Sequence, residues 1–133
     1  MVGLDTNVIV RYIVQDDPEQ SAVATRIFEE WINDDNHGFI SSVALCETIW
    51  VLARAYKQPR EKLIEVIRHL LLVDCIEVEH RDEVWSAVAD FEEGTADFSD
   101  YLIGRIGREA GVKTTYSFDD KAVRNTLLFT KAR

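Results

Sequence analysis

Four apolar stretches, far apart in the chain, each run into an acid: Asp5 in V-G-L-D-T-N, Glu47 in V-A-L-C-E-T-I-W-V-L, Asp100 in A-D-F-S-D-Y-L-I and Asp119 in T-T-Y-S-F-D-D-K. An ionised carboxylate taken out of water costs several kcal/mol unless something pairs with it. A fold for this sequence must therefore offer such acids a cation, a hydrogen-bond network or a metal. If the four converge, a divalent metal serves all of them at once.

Between the acids, β and helical patterns alternate. Residues 2–4 form a short apolar run ending at Asp5, and a short helix or turn begins at Asn7. D-D-P-E-Q at 16–20 predicts a helix start, with Asp17 at the cap and Pro18 at the first helical position. Val23, Ala24, Ile27, Phe28 and Trp31 then read as one core stripe. Residues 38–41 predict a strand. Ser42 to about Tyr56 predicts a helix apolar on nearly every face, hence buried on most of its surface, with Glu47 in its first half. Pro59 opens a helix through Leu72, 76–78 is a strand, and 81–92 is amphipathic around Val84, Trp85, Val88 and Phe91. After a loop at 94–96, a helix over 97–110 stops at Gly111, a strand covers 113–118, and a short helix lies around 122–126.

Such alternation implies an α/β fold with a central, mainly parallel sheet flanked by helices. Ligands of these sheets gather at the carboxyl ends of strands. Asp5 and Asp119 stand just after strands, while Glu47 and Asp100 occupy early turns of helices, so all four can reach that edge.

Length and composition narrow the class. With 133 residues, 47% hydrophobic content, six glycines and two prolines, the chain predicts one domain spanning 1–133 without linkers or repeats. Cys46 and Cys75 lie in apolar runs and read as buried free thiols; with His37, His69 and His80 they make no zinc spacing. No apolar run reaches the ~18 residues of a membrane span, and Asp5 interrupts the N-terminus too early for a signal peptide. The expectation is a soluble, cytoplasmic protein with no membrane role. The net charge of −9 argues against a nucleic-acid partner, but setting aside Asp5, Glu47, Asp97, Asp100 and Asp119 leaves 19 acids against 15 basic residues, a residual of −4.

Each acid also has a plain structural reading. Asp5 could cap the helix after it, Asp97 and Asp100 have the spacing of a helix-start pair, and Asp119-Asp120 could be a turn plus a cap. Glu47 is the hardest to dismiss. Its nearest local basic residue is Arg54, seven positions on, two turns and ~10 Å away along a helix, too far for a local salt bridge.

Taken together, V-G-L-D-T-N-V-I-V-R-Y, I-S-S-V-A-L-C-E-T-I-W-V-L, A-D-F-S-D-Y-L-I-G-R-I-G-R-E-A-G and T-Y-S-F-D-D-K-A resemble, in order and spacing, the PIN-domain ribonucleases, especially the VapC-type toxins of bacterial toxin–antitoxin pairs. The resemblance covers nearly the whole chain and implies a three-layer PIN-like fold. It implies Asp5, Glu47, Asp100 and Asp119 as the catalytic, metal-holding acids, with Asp97 as an additional metal acid. Thr6, Asn7, Ser41 and Ser117 become supporting polar residues. Asp120 beside Asp119 leaves open which of the two faces the metal, and the short tail leaves room for a brief C-terminal strand at most.

Carboxylate oxygens without His or Cys suit Mg²⁺ or Mn²⁺. Such ions lower the pKa of water and neutralise a leaving oxygen, which fits RNA phosphodiester hydrolysis. Arg11, Arg105, Arg108, Lys121 and Arg124 are candidate phosphate contacts, and Tyr12 and Tyr101 either stack a base or pack in the core. The resemblance further implies a cognate antitoxin and a homodimer. Thr6, Ser41 and Ser117 have no histidine to form a nucleophilic triad. Two other readings stand beside the nuclease. One is a catalytically inactive PIN-fold interaction module. The other is a metal-binding phospho-acceptor domain, which calls for an Asp pair after the first strand where this chain has Asp5 alone.

Overall fold

The computed structural model describes residues 1–133, with five strands and seven α-helices in the expected alternation. The chain packs as two compact units, residues 1–79 and 80–133.

In the first unit, β1 (Val2–Gly3), β2 (Gly38–Ile40) and β3 (Ile76–Val78) form a parallel ladder in sequence order, with Val2 opposite Gly38 and Gly38 opposite Ile76. Parallel neighbours need crossovers, and helices supply them. The first crossover holds α1 (Thr6–Val14) and α2 (Pro18–Arg26); the second holds α3 (Ser42–Arg54) and α4 (Arg60–Leu72). Gly38 lets these layers close: a methyl group there would come within 2.6 Å of Ile32 Cδ1 and 2.9 Å of Ile76 Cδ1. Ile9, Ile40, Leu45, Leu52, Ile67 and Leu70 form the heart of this core.

The cap of α2 is as the sequence predicts, Asp17 Oδ1 accepting from Gln20 N at 3.0 Å with Pro18 at the first helical position. The helix then widens into a π-turn over Ile27–Trp31, closed by Ile32 N–H donating to Ile27 O at 2.9 Å. A wider turn rotates the residues that follow it. Ala24, before the turn, is buried, as are Phe28 and Ile32, while Val23 and Trp31, expected in the core stripe, are 45% and 51% exposed.

Helix α3 departs further from expectation. It buries Ala44, Leu45, Thr48, Ile49 and Leu52 on one side, but Val43, Glu47, Trp50 and Arg54 share an open face. An apolar sequence on every face thus does not make a helix buried on every face.

The second unit starts with α5 (Arg81–Glu93), which packs against α6 (Phe98–Glu109). β4 (Thr115–Ser117) pairs in parallel with β5 (Phe129–Lys131), and α7 (Asp120–Asn125) makes the crossover. The sheet strands therefore lie in two parallel ladders, of three and two strands. The short tail, which left the C-terminal strand brief or absent, does hold one, the three-residue β5. Gly111, at φ +94°, ends α6 in the left-handed conformation that glycine adopts without strain. Gly94 is required by close approach, because any Cβ there would collide with the Tyr101 hydroxyl. No helix is long and apolar enough to cross a membrane.

Candidate functional site

The candidate acids are not sunk in apolar core. Asp5, Glu47, Asp97 and Asp119 are exposed and Asp100 is half-buried. The reason lies in where each stands on its element. Three of them begin helices, and a cap position faces water even when the sequence on both sides of it is buried.

In the first unit, Asp5 is the N-cap of α1, its Oδ1 accepting from Thr6 N at 2.8 Å. Thr6 is buried behind it and Asn7 is exposed. Ser41 caps α3, its Oγ accepting from Ala44 N at 3.1 Å, while Ser42 N–H donates to Glu79 Oε1 at 2.8 Å. Glu79, at the end of β3, is a capping carboxylate that sequence reasoning missed, since nothing local links it to residue 42. Glu47 stands on the open face of α3. Helices α1 and α3 pack together, so both acids belong to one helical layer.

The second unit crowds its acids. Asp97 is the N-cap of α6 and Asp100 its third residue, and the two close a capping box in which Asp97 N–H donates to Asp100 Oδ2 at 3.3 Å. Partial burial pushes the Asp100 carboxyl above the ordinary aspartate range; the hydrogen bond from Asp97 N–H opposes this, and the negative fields of Asp119 and Asp97 add to it. Lys121 contributes a weaker opposing field. Asp97, Asp100 and Asp119 are thus close enough to feel one another. Neither unit by itself closes three or more His, Cys, Asp or Glu side chains into a metal cage.

Asp119 and Asp120 have separate tasks. Asp119 caps α7 through Oδ1, accepting from Lys121 N at 2.9 Å, and its own N–H donates to Ser117 Oγ at 2.9 Å. Asp120 pairs with Lys131 Nζ at 2.7 Å, and that lysine holds its carboxyl below the ordinary value. The same ammonium donates to Phe118 O at 2.7 Å. Asp120 is therefore already satisfied, and Asp119 is the one whose charge reaches Asp100.

The predicted phosphate contacts divide sharply. Arg11 Nη1 is held by Asp16 Oδ1 at 3.1 Å and by Tyr56 Oη at 2.9 Å, and Arg11 Nε by Gln20 Oε1 at 2.8 Å. Arg105 forms a two-pronged pair with Asp90, both contacts at 2.8 Å. Both guanidiniums have internal partners before any substrate arrives. Arg108, Lys121 and Arg124 are exposed. The tyrosines pack: Tyr12 stacks on Phe28 with ring centroids 3.9 Å apart, and Tyr101 is buried with its hydroxyl accepting from Ala96 N at 3.3 Å.

The cysteines are free and half-buried, not fully buried as their apolar flanks suggest. Burial pushes the Cys46 thiol up to about 11. Cys75 Sγ donates to Asp34 Oδ1 at 3.2 Å, and that bond raises its pKa as well. Neither thiol is poised as a thiolate ligand or nucleophile near neutral pH.

The donor set is all hard oxygen. Half-buried Asp100, destabilised by two neighbouring carboxylates and lacking a basic partner in contact, fits a divalent cation of the Mg²⁺ type. The family described as the PIN domain matches residues 2–126, a span that takes in nearly all of the first unit and most of the second. The chain is also similar to a VapC ribonuclease of Aquifex aeolicus (strain VF5), 24% identical over 115 residues that cover 86% of this chain and 84% of the relative.

Proposed function

This chain belongs to the PIN-domain family, and on that footing we propose that it is a Mg²⁺- or Mn²⁺-dependent endoribonuclease, the toxin of a toxin–antitoxin pair, acting as one nuclease domain over residues 1–133. The observation that carries the reading is the crowding at the start of α6. Asp100 is partly desolvated and lies in the negative fields of Asp119 and Asp97, an arrangement that costs stability unless a cation joins it. The similarity to a VapC ribonuclease supplies the substrate class, RNA, and the family resemblance drawn from the sequence carries the expectation of a cognate antitoxin and a homodimer.

In this reading Asp5, Glu47, Asp100 and Asp119 hold the metal, with Asp97 beside them. The bound ion would activate water for in-line attack on phosphorus and neutralise charge on the leaving oxygen. The chain's own contribution is positioning. Three of the acids are fixed by helix caps: Asp5 on Thr6 N, Asp100 on Asp97 N and Asp119 on Lys121 N. Ser117 fixes the Asp119 backbone. Ser41 and Glu79 fix the start of α3, which orients Glu47. Arg108, Lys121 and Arg124 are the exposed cations left to meet phosphate.

The test is cleavage of total cellular RNA by the purified protein in Mg²⁺, Mn²⁺ or EDTA, with folded Asp5→Asn and Asp100→Asn proteins alongside. Metal-dependent cuts that fall at least about a hundredfold in both variants are expected, since even outer-shell partners of a metal are worth 10- to 100-fold. Cleavage equal in the variants, or none from folded protein, would favour the inactive interaction module.

A further inference from the structure

One strip of α3 is left open to water. Val43, Glu47, Trp50 and Arg54 recur along it at helical spacing, opposite the face that buries Leu45, Ile49 and Leu52. Trp50 is 60% exposed and stands one turn beyond Glu47. The Arg54 guanidinium lies 5.9 Å from the centroid of its indole, within reach of cation–π attraction. Arg54 is too far along the helix to pair with Glu47, so its charge is committed to the tryptophan and to solvent. Exposed Lys57 follows it.

We propose that Trp50 and Arg54 form a docking platform for single-stranded RNA: the indole stacks on an unpaired base beside the scissile phosphate, which the metal that Glu47 helps to hold would bind, and the guanidinium contacts the next phosphate along the strand. The inference deepens the nuclease reading and rests on it. The order on the helix is acid, aromatic, cation, over ~10 Å. A single strand of a few nucleotides spans that length. Every base has a π-face, so an exposed indole grips a single strand without choosing its sequence. Arg54 adds the positive charge that an RNA chain requires from a protein of net charge −9.

The experiment measures binding of a fluorescein-labelled, unstructured 12-nucleotide RNA to the full chain by anisotropy, in a non-cleaving Asp100→Asn background. Trp50→Ala and Trp50→Leu should each weaken binding at least fivefold, and Trp50→Phe should restore it to within twofold. The same oligonucleotide without bases should bind the background protein and Trp50→Ala alike. Arg54→Ala should flatten the salt dependence by about one phosphate contact, a slope change of ~0.7, and Arg54→Lys should keep it. The idea is overturned if Trp50→Leu binds as tightly as tryptophan, or if Trp50→Ala weakens the abasic oligonucleotide equally. A Trp50 substitution that converts a dimer to monomer in sedimentation, with RNA binding intact, would assign the strip to a contact between copies and also overturn it. Metal-dependent cleavage with no Trp50 effect sinks the platform alone, whereas Trp50-dependent binding without cleavage sinks only the nuclease reading.

Discussion

Helices α3 and α6 each carry a candidate acid near the start, and each has a polar cap, Ser41 on one and Asp97 on the other. Their acids live in different surroundings. Glu47 stands mid-face on α3, exposed between Val43 and Trp50, whereas Asp100 is locked into the first turn of α6, half-buried and crowded by Asp97 and Asp119. Sequence context alone suggests the reverse. Glu47 has apolar neighbours on both sides and reads as buried, while Asp100 three residues after Asp97 reads as an ordinary cap. What surrounds a side chain in sequence is spread around a helix, so only the i±3 and i±4 neighbours share its face. On α3 two of those neighbours, Val43 and Trp50, point to water.

The contrast can be broken hardest through an aromatic residue close to each acid in sequence. Phe98, two residues before Asp100, is buried and packs edge-on against Phe91 at 5.9 Å. Phe98→Ala should cost about 3–5 kcal/mol in urea unfolding. Next comes Ser41→Ala, which removes the acceptor for Ala44 N and should cost about 1 kcal/mol while leaving the structure otherwise intact.

A smaller effect tests the crowding itself. The folded Asp100 carboxyl titrates above its ordinary value of 3.8, so its stabilising contribution is full below that pH and is lost as pH rises through the raised folded value. In EDTA, Asp100→Asn should therefore raise the urea midpoint at pH 7 and lose that advantage by about pH 4. In Mg²⁺ at pH 7 the order should reverse. A variant no more stable than the parent in EDTA at pH 7 would show that Asp100 is not destabilised. The smallest change is expected at Trp50, whose replacement by Ala should alter stability by no more than about 0.5 kcal/mol. A loss as large as that of Phe98 would mean the α3 strip is packed, and the contrast between the helices would collapse.

Local rules made much of the fold legible. Asp17-Pro18 located the start of α2 and Gly111 the end of α6, because caps and stops depend on a few adjacent residues. The four acids were found by the same local reading, together with the family pattern. Long-range partners were not legible. Nothing near Arg105 names Asp90, fifteen residues back, and nothing near Ser42 names Glu79. The division of the strands into two ladders is likewise a tertiary outcome. Glu47 was selected for an expected burial that the structure does not give it. Its candidacy now rests on its place in the family pattern and on the open face it shares with Trp50 and Arg54.

The π-turn at Ile27–Trp31 bears on descent as well as packing. It spends one more residue than the α-turn it replaces, so a relative lacking one residue here could keep Phe28 and Ile32 in the core by running straight helix instead. When this chain is aligned with shorter relatives, a single-residue gap belongs within 27–31. The same gap moved a few positions toward the N-terminus would misalign Ala24, the last buried position of α2, and rotate it out of the core.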